Sequence, residues 1–77
     1  MLFLENKYTS WYFAIVDKAK ERITESYSEK HHIVPRTLGG KNNKSNIVVL
    51  TAREHFVCHL LLTKMLAGED RQKMVYA

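Results

Sequence analysis

Cysteine is nearly missing from this 77-residue chain: Cys58 stands alone, so no internal disulfide can form and nothing indicates an oxidising compartment. Proline occurs once, at Pro35, and glycine three times, which excludes collagen-like, linker-like and low-complexity chains. No internal repeat is present. No apolar run approaches the roughly 18 residues of a membrane span. The opening MLFLENKY meets charge too early for a signal peptide, so no membrane partner is expected and the cytoplasm is the expected location. One stretch also lacks negative charge altogether. Between Lys30 and Arg53 stand five basic residues (Lys30, Arg36, Lys41, Lys44, Arg53) and no acidic one, while the rest of the chain carries seven basic and eight acidic residues. The net charge of +4 therefore comes from the centre of the chain. A polyanion such as nucleic acid is one reading of that segment, and a solvated loop is the other.

A hydrophobic content of 45% with 10% aromatics is that of a folded domain, but the length allows only one. Cores of this size supply roughly 3 to 5 kcal/mol, so small scaffolds tend to need a staple. With disulfides excluded, a metal or a partner is the next candidate.

Tyr8, Tyr12, Ile15, Val16, Ala19 and Ile23 recur at spacings of three and four, which predicts an amphipathic helix from about Tyr8 to Arg22, capped by Thr9 or Ser10. Tyr27 to His32 reads as a strand, since Pro35 favours extended backbone at Val34. The polar segment RTLGGKNNKS, Arg36 to Ser45, reads as a loop in which Gly39 and Gly40 supply positive-φ positions. Asn46 then opens Ile47-Val48-Val49-Leu50, a second strand rich in β-branched residues. Thr51-Ala52-Arg53-Glu54 has the form of a capping box and starts a helix that should run to about Ala67, with Gly68 as its left-handed stop. The segment 68–77 resembles the opening turns of a further helix. Phe56, Leu60, Leu61 and the Tyr and Trp residues of the first helix are expected in the core, with stacking on bases the alternative for Trp11 and Tyr12.

All four histidines, His31, His32, His55 and His59, lie within 29 residues. His55 and His59 are four apart on the predicted helix, one turn above the other on one face, where a pair of imidazoles can chelate a divalent ion. His31 and His32 are adjacent on a predicted strand and point to opposite sides, so only one can share a metal with the helix. Singly, each has a plain alternative as a hydrogen-bonded core or surface histidine. A strand, loop, strand and helix can close into a ββα hairpin that brings the two pairs together. Three imidazoles suit Zn, Ni, Co or Cu better than Mg, and three ligands with an open fourth position describe a catalytic rather than a structural site. Cys58 sits about 100° from His59 around the helix and is expected to face away, as apolar filler.

Glu29-Lys30-His31-His32-Ile33-Val34-Pro35, then Gly39-Gly40, then Asn46 to Thr51, then Arg53-Glu54-His55 and His59, together resemble the HNH, or ββα-metal, nuclease motif over about residues 27 to 64. The N-terminal helix is more loosely similar to the start of small phage HNH proteins, including homing endonucleases. The resemblance implies an α+β fold: an N-terminal helix within 1–26, a ββα-metal core at 27–67, and the start of a further helix at 68–77, forming one nuclease domain. It implies His32 as general base, His31, His55 and His59 as metal ligands, Asn46 as brace of the loop, and Glu29 as supporting carboxylate. The His-His form is similar to that of the nuclease colicins. One divalent ion (Mg, Mn, Ni or Zn) and double-stranded DNA are then expected, with Lys30, Arg36, Lys41, Lys44 and Arg53 on the phosphates. The expected location becomes the host cytoplasm if a phage encodes the chain. A homo-oligomer, or additional C-terminal DNA-binding elements, would supply what so small a unit lacks. Two other readings are a non-catalytic, zinc-stabilised nucleic-acid-binding module and a toxin nuclease restrained by an immunity protein.

Overall fold

Apolar residues at three- and four-residue spacing build the helix α1 (Lys7–Lys20) in the computed structural model, which describes residues 2–23 and 26–75. Its cap is Asn6, not Thr9 or Ser10. The Asn6 side chain accepts the Thr9 backbone N–H at 3.0 Å, while the Thr9 hydroxyl donates to the Leu4 carbonyl. An asparagine one turn earlier satisfies the free N–H groups of the first turn and lengthens the helix N-terminally. Tyr12, Val16 and Ala19 form the buried stripe. Ile23 does not extend it, because the helix has ended at Lys20 and the side chain stands in solvent.

The strands β1 (Glu29–His32) and β2 (Ile47–Leu50) pair antiparallel, with Glu29 opposite Leu50, Lys30 opposite Val49, His31 opposite Val48 and His32 opposite Ile47. β1 starts two residues later than Tyr27. The segment between the strands is less irregular than a plain loop, since it contains short 3-10 turns at Arg36–Leu38 and Lys44–Asn46. Of its two glycines only Gly39 is left-handed, with φ 91°. Gly40 is required for a different reason: a Cβ there would lie 1.7 Å from the Val34 carbonyl oxygen, so two strands of backbone touch where only hydrogen fits. Gly39→Ala faces open space and is expected to cost only about 1 to 2 kcal/mol, the left-handed penalty. Gly40→Ala must push backbone aside and is expected to cost about 3 kcal/mol or more. Urea unfolding of the two variants checks this, and equal losses would refute the close-approach argument.

The helix α2 (Ala52–Met65) begins with the expected capping box: the Glu54 N–H donates to Thr51 Oγ1 at 3.2 Å, and the Thr51 N–H donates to Glu54 Oε1 at 2.9 Å. It ends two residues before Ala67, where Leu66 turns extended. Gly68 is left-handed, with φ 59°, but it opens the helix α3 (Gly68–Val75) instead of closing α2. Cys58, Leu61, Leu62 and Met65 are buried on one face of α2. Phe56 and Leu60 are not core residues: they are 71% and 51% exposed, on the face turned away from α1. Trp11 is likewise more than half exposed, one residue around the helix from the fully buried Tyr12. A 14-residue helix in a two-layer domain has one covered stripe, and apolar type does not assign a residue to it.

α1 and α2 lie antiparallel, tied at both ends. Near the start of α1, the Leu4 N–H donates to the Met65 carbonyl at 2.7 Å and Asn6 Nδ2 to the Lys64 carbonyl at 3.1 Å. Beyond its end, the Arg22 guanidinium makes a two-pronged ion pair with Glu54. That pair, with the capping bonds from Thr51, holds the Glu54 carboxyl down at about 2, and it raises the Arg22 pKa in return. The architecture is α+β, with three α-helices and a two-stranded sheet among the described residues and with β1, β2 and α2 in ββα order. The units expected at 1–26 and 68–77 include Met1, Thr24, Glu25, Tyr76 and Ala77, which lie outside the described residues. Among the described residues no helix is long and apolar enough to cross a membrane.

Candidate metal centre

Pairing of β1 with β2 and packing of α2 against the sheet bring residues far apart in sequence around one cavity of about 300 Å³. Its walls are Lys30, His31, His32, Pro35, Arg36 and Thr37 from β1 and the turn after it, His55, His59 and Leu62 from α2, and Met74 from α3. Three of the histidines converge. His31, His55 and His59 each offer a ring nitrogen, and the three atoms lie within 4.8 Å of one another.

Within this group, His55 Nε2 and His59 Nε2 stand 3.2 Å apart. Two imidazole nitrogens at Zn–N distances of 2.0–2.1 Å in tetrahedral geometry stand roughly 3.3 Å apart, so the helical pair is already spaced for one ion. His55 Nδ1 is 2.8 Å from Glu29 Oε1. A carboxylate only accepts, so Nδ1 carries the proton and Nε2 keeps the lone pair that faces His59. This is the carboxylate–histidine arrangement that orients metal-binding imidazoles. Glu29 is braced by the Tyr27 hydroxyl, which donates at 2.6 Å, and these two bonds, Tyr27's first, hold the carboxyl below its ordinary pKa.

His31 is 2% exposed. Burial, and then the neighbouring charges of His55, His59 and His32, push its pKa from 6.5 down to about 4, so at neutral pH it is an uncharged ring with a free lone pair. His59 is shifted in the same direction, by desolvation of its ring and then by His55. Neutral imidazole is the form a metal takes up. Residue type, spacing and tautomer thus fit a divalent ion of the borderline, nitrogen-preferring kind.

His32 borders the same cavity but stands outside the group of three. Its Nε2 is 3.1 Å from Asn42 Oδ1, which leaves Nδ1 as its accepting nitrogen. Asn46 closes the turn above. Its side chain accepts the Val34 N–H at 2.8 Å and donates to the carbonyls of Val34 (3.0 Å) and Lys41 (2.9 Å), while its own carbonyl accepts the Ile33 N–H at 2.8 Å. One asparagine therefore holds the chain as it leaves β1 directly after the two histidines.

The basic residues divide. Lys30 and Arg36 line the cavity. Lys41 and Lys44 border two other depressions, Lys44 with Lys20 and Arg22, and Arg53 is exposed on the first turn of α2. Cys58 is fully buried between helices, and burial raises its thiol to about 11. Tyr12, Tyr27 and Asn42 touch the histidines or their brace and carried no signal in the sequence, because their partners lie 2 to 19 residues away and only folding brings them together.

No family model matches the chain and no solved structure matches it. Proteins of Enterobacteria phage T4 do. It is 52% identical over 48 residues to probable mobile endonuclease E, covering 62% of this chain and 33% of that one. It is 44% identical over 63 residues to probable mobile endonuclease D and 41% identical over 63 residues to probable mobile endonuclease B, in each case covering 75% of this chain and 24% of the other. The chain spans between a quarter and a third of the length of these relatives, and its similarity is to proteins named as phage mobile endonucleases.

Proposed function

We propose that this chain is a metal-dependent DNA endonuclease domain of the HNH type, of the phage mobile kind, organised as one unit from the N-terminal helix through α3. The observation that carries this reading is the cavity in which three imidazoles converge within 4.8 Å while a fourth, His32, faces the same space outside the set. A purely structural ion has no use for the fourth ring.

His31, His55 and His59 hold the ion, with Glu29 fixing the His55 ring. When bound, a divalent ion supplies charge against the scissile phosphate and lowers the cost of the departing 3′-oxygen. His32 takes a proton from water at Nδ1 as the water oxygen forms its bond to phosphorus and the bond from phosphorus to the 3′-oxygen breaks. Asn42 holds the His32 ring in the required tautomer, and Asn46 fixes the turn that directly follows it. Lys30 and Arg36, at the cavity, meet the phosphate whose cleavage is proposed. Lys41, Lys44 and Arg53 contact neighbouring phosphates of a double-stranded substrate in the cytoplasm of a host cell.

Supercoiled plasmid incubated with the protein and a series of divalent metals is expected to yield nicked or linear DNA, and chelator is expected to abolish the product. Metal-raised melting together with DNA binding but no cut under any metal is the behaviour of a zinc-stabilised binding module and would overturn the nuclease reading.

A further inference from the structure

We infer that Tyr12, on α1, is a positioning residue that decides which nitrogen of His31 faces the ion; the inference rests on the metal-centre reading above. The Tyr12 hydroxyl is fully buried and touches two groups, His31 Nε2 at 2.7 Å and the Ile33 carbonyl oxygen at 2.7 Å. A hydroxyl has one proton, and a carbonyl oxygen can only accept, so that proton goes to Ile33. Toward His31 the phenol oxygen presents a lone pair. Nε2 of His31 must then carry the ring proton, and the lone pair that a metal needs is on Nδ1. The opposite tautomer would either set two lone pairs against each other at 2.7 Å or draw the hydroxyl proton away from the Ile33 carbonyl, and beside a fully buried hydroxyl an unmade hydrogen bond costs its full desolvation penalty.

The two ends of the ligand set are thus oriented in opposite senses. Glu29 accepts a hydrogen bond from Nδ1–H of His55 and leaves Nε2 free, whereas the Tyr12 oxygen accepts one from Nε2–H of His31 and leaves Nδ1 free. The arrangement also gives α1 a part in the site. Tyr12 packs against Phe3 and Phe13, at ring separations of 6.2 and 5.2 Å, so its ring belongs to the core; phenylalanine would serve that packing equally, and only the hydroxyl reaches His31. Full burial of Tyr12 excludes it from stacking on bases.

The test compares wild type with Tyr12→Phe, which keeps the ring. Nitrogen-15 NMR of the histidine rings in chelator at pH 8 reads the tautomers without any metal, and a competition titration with Zn reads affinity. Wild type is expected to show His31 as the Nε2–H tautomer. Tyr12→Phe is expected to show a mixture at His31, an unchanged Nδ1–H form at His55, and Zn affinity 10- to 100-fold weaker, the usual cost of losing an outer partner of a ligand. An Nδ1–H form of His31 in wild type overturns the inference even if the variant fails to fold, and so does equal Zn affinity in the two proteins. A wild type that takes up no Zn overturns the metal centre itself and the role of Tyr12 with it, a result distinct from equal, measurable affinities.

Discussion

His32→Ala is expected to lower plasmid cleavage by about 10²- to 10⁴-fold, the range lost with a general base, while Zn affinity stays within about twofold of wild type. The two halves of this expectation come from one geometric fact: His32 borders the cavity yet lies outside the set of three nitrogens. His59→Ala is the contrasting case, because it removes one of the two nitrogens spaced 3.2 Å apart and should take metal and activity away together. Single-turnover cleavage with and without added imidazole, alongside the Zn titration, separates the roles. Should His32→Ala cut at the wild-type rate, the base assignment is wrong; should it lose Zn as His59→Ala does, His32 is a ligand.

The second large effect is acid lability of the metal-free protein. In the unfolded chain His31 takes a proton near its ordinary pKa of 6.5, whereas in the folded state burial and the neighbouring histidines delay this to about 4. Between those values the unfolded state binds more protons, so stability falls as pH drops, by about 3 kcal/mol in total. Above pH 6.5 the contribution is fully present, and near pH 4 it is gone. His59, shifted the same way, adds to the slope. Glu54 acts in a lower window: the contribution of its ion pair with Arg22 and of the capping bonds from Thr51 is lost as pH falls from 4.5 through about 2, and it is the smaller of the two because the pair is partly open to solvent. Against a core worth roughly 3 to 5 kcal/mol, the first limb alone brings the domain close to unfolding. Urea melts in chelator from pH 8 to pH 3 are expected to show it, with His31→Leu losing most of the slope above pH 4. Stability that stays level between pH 7 and pH 4.5 would contradict the burial of His31. Added Zn is expected to raise stability most at neutral pH, because metal and protons compete for the same nitrogens.

Much of the chemistry was legible because it is local. The spacing of His55 and His59 survives any packing, since residues four apart on a helix must share a face. The capping box at Thr51 and Glu54 is a bargain between neighbours, and it formed as read. β1 and β2 were likewise bounded by the turn residues around them. The helix start is not decided locally, because Asn6, Thr9 and Ser10 are all capable caps, and Asn6, which also reaches the Lys64 carbonyl 58 residues away, is the one used. Phe56, Leu60 and Trp11 lie outside the core, contrary to expectation, for a related reason: periodicity shows that a helix has an apolar stripe, but the neighbour it meets selects the stripe. Gly40 was read as a turn glycine, although its need for hydrogen comes from the Val34 backbone passing over it.

Short-range rules therefore set the elements, the pairing of histidines within each element and the concentration of positive charge, because these depend on covalent geometry over a few residues. Tertiary packing decided the rest: that His31 and not His32 joins the helical pair, that Lys30 and Arg36 rather than Lys41, Lys44 or Arg53 stand at the cavity, and that Tyr12, Tyr27 and Asn42 fasten the rings. Hydrogen bonds and burial act over a few ångströms of space, and only the folded chain determines which residues occupy it.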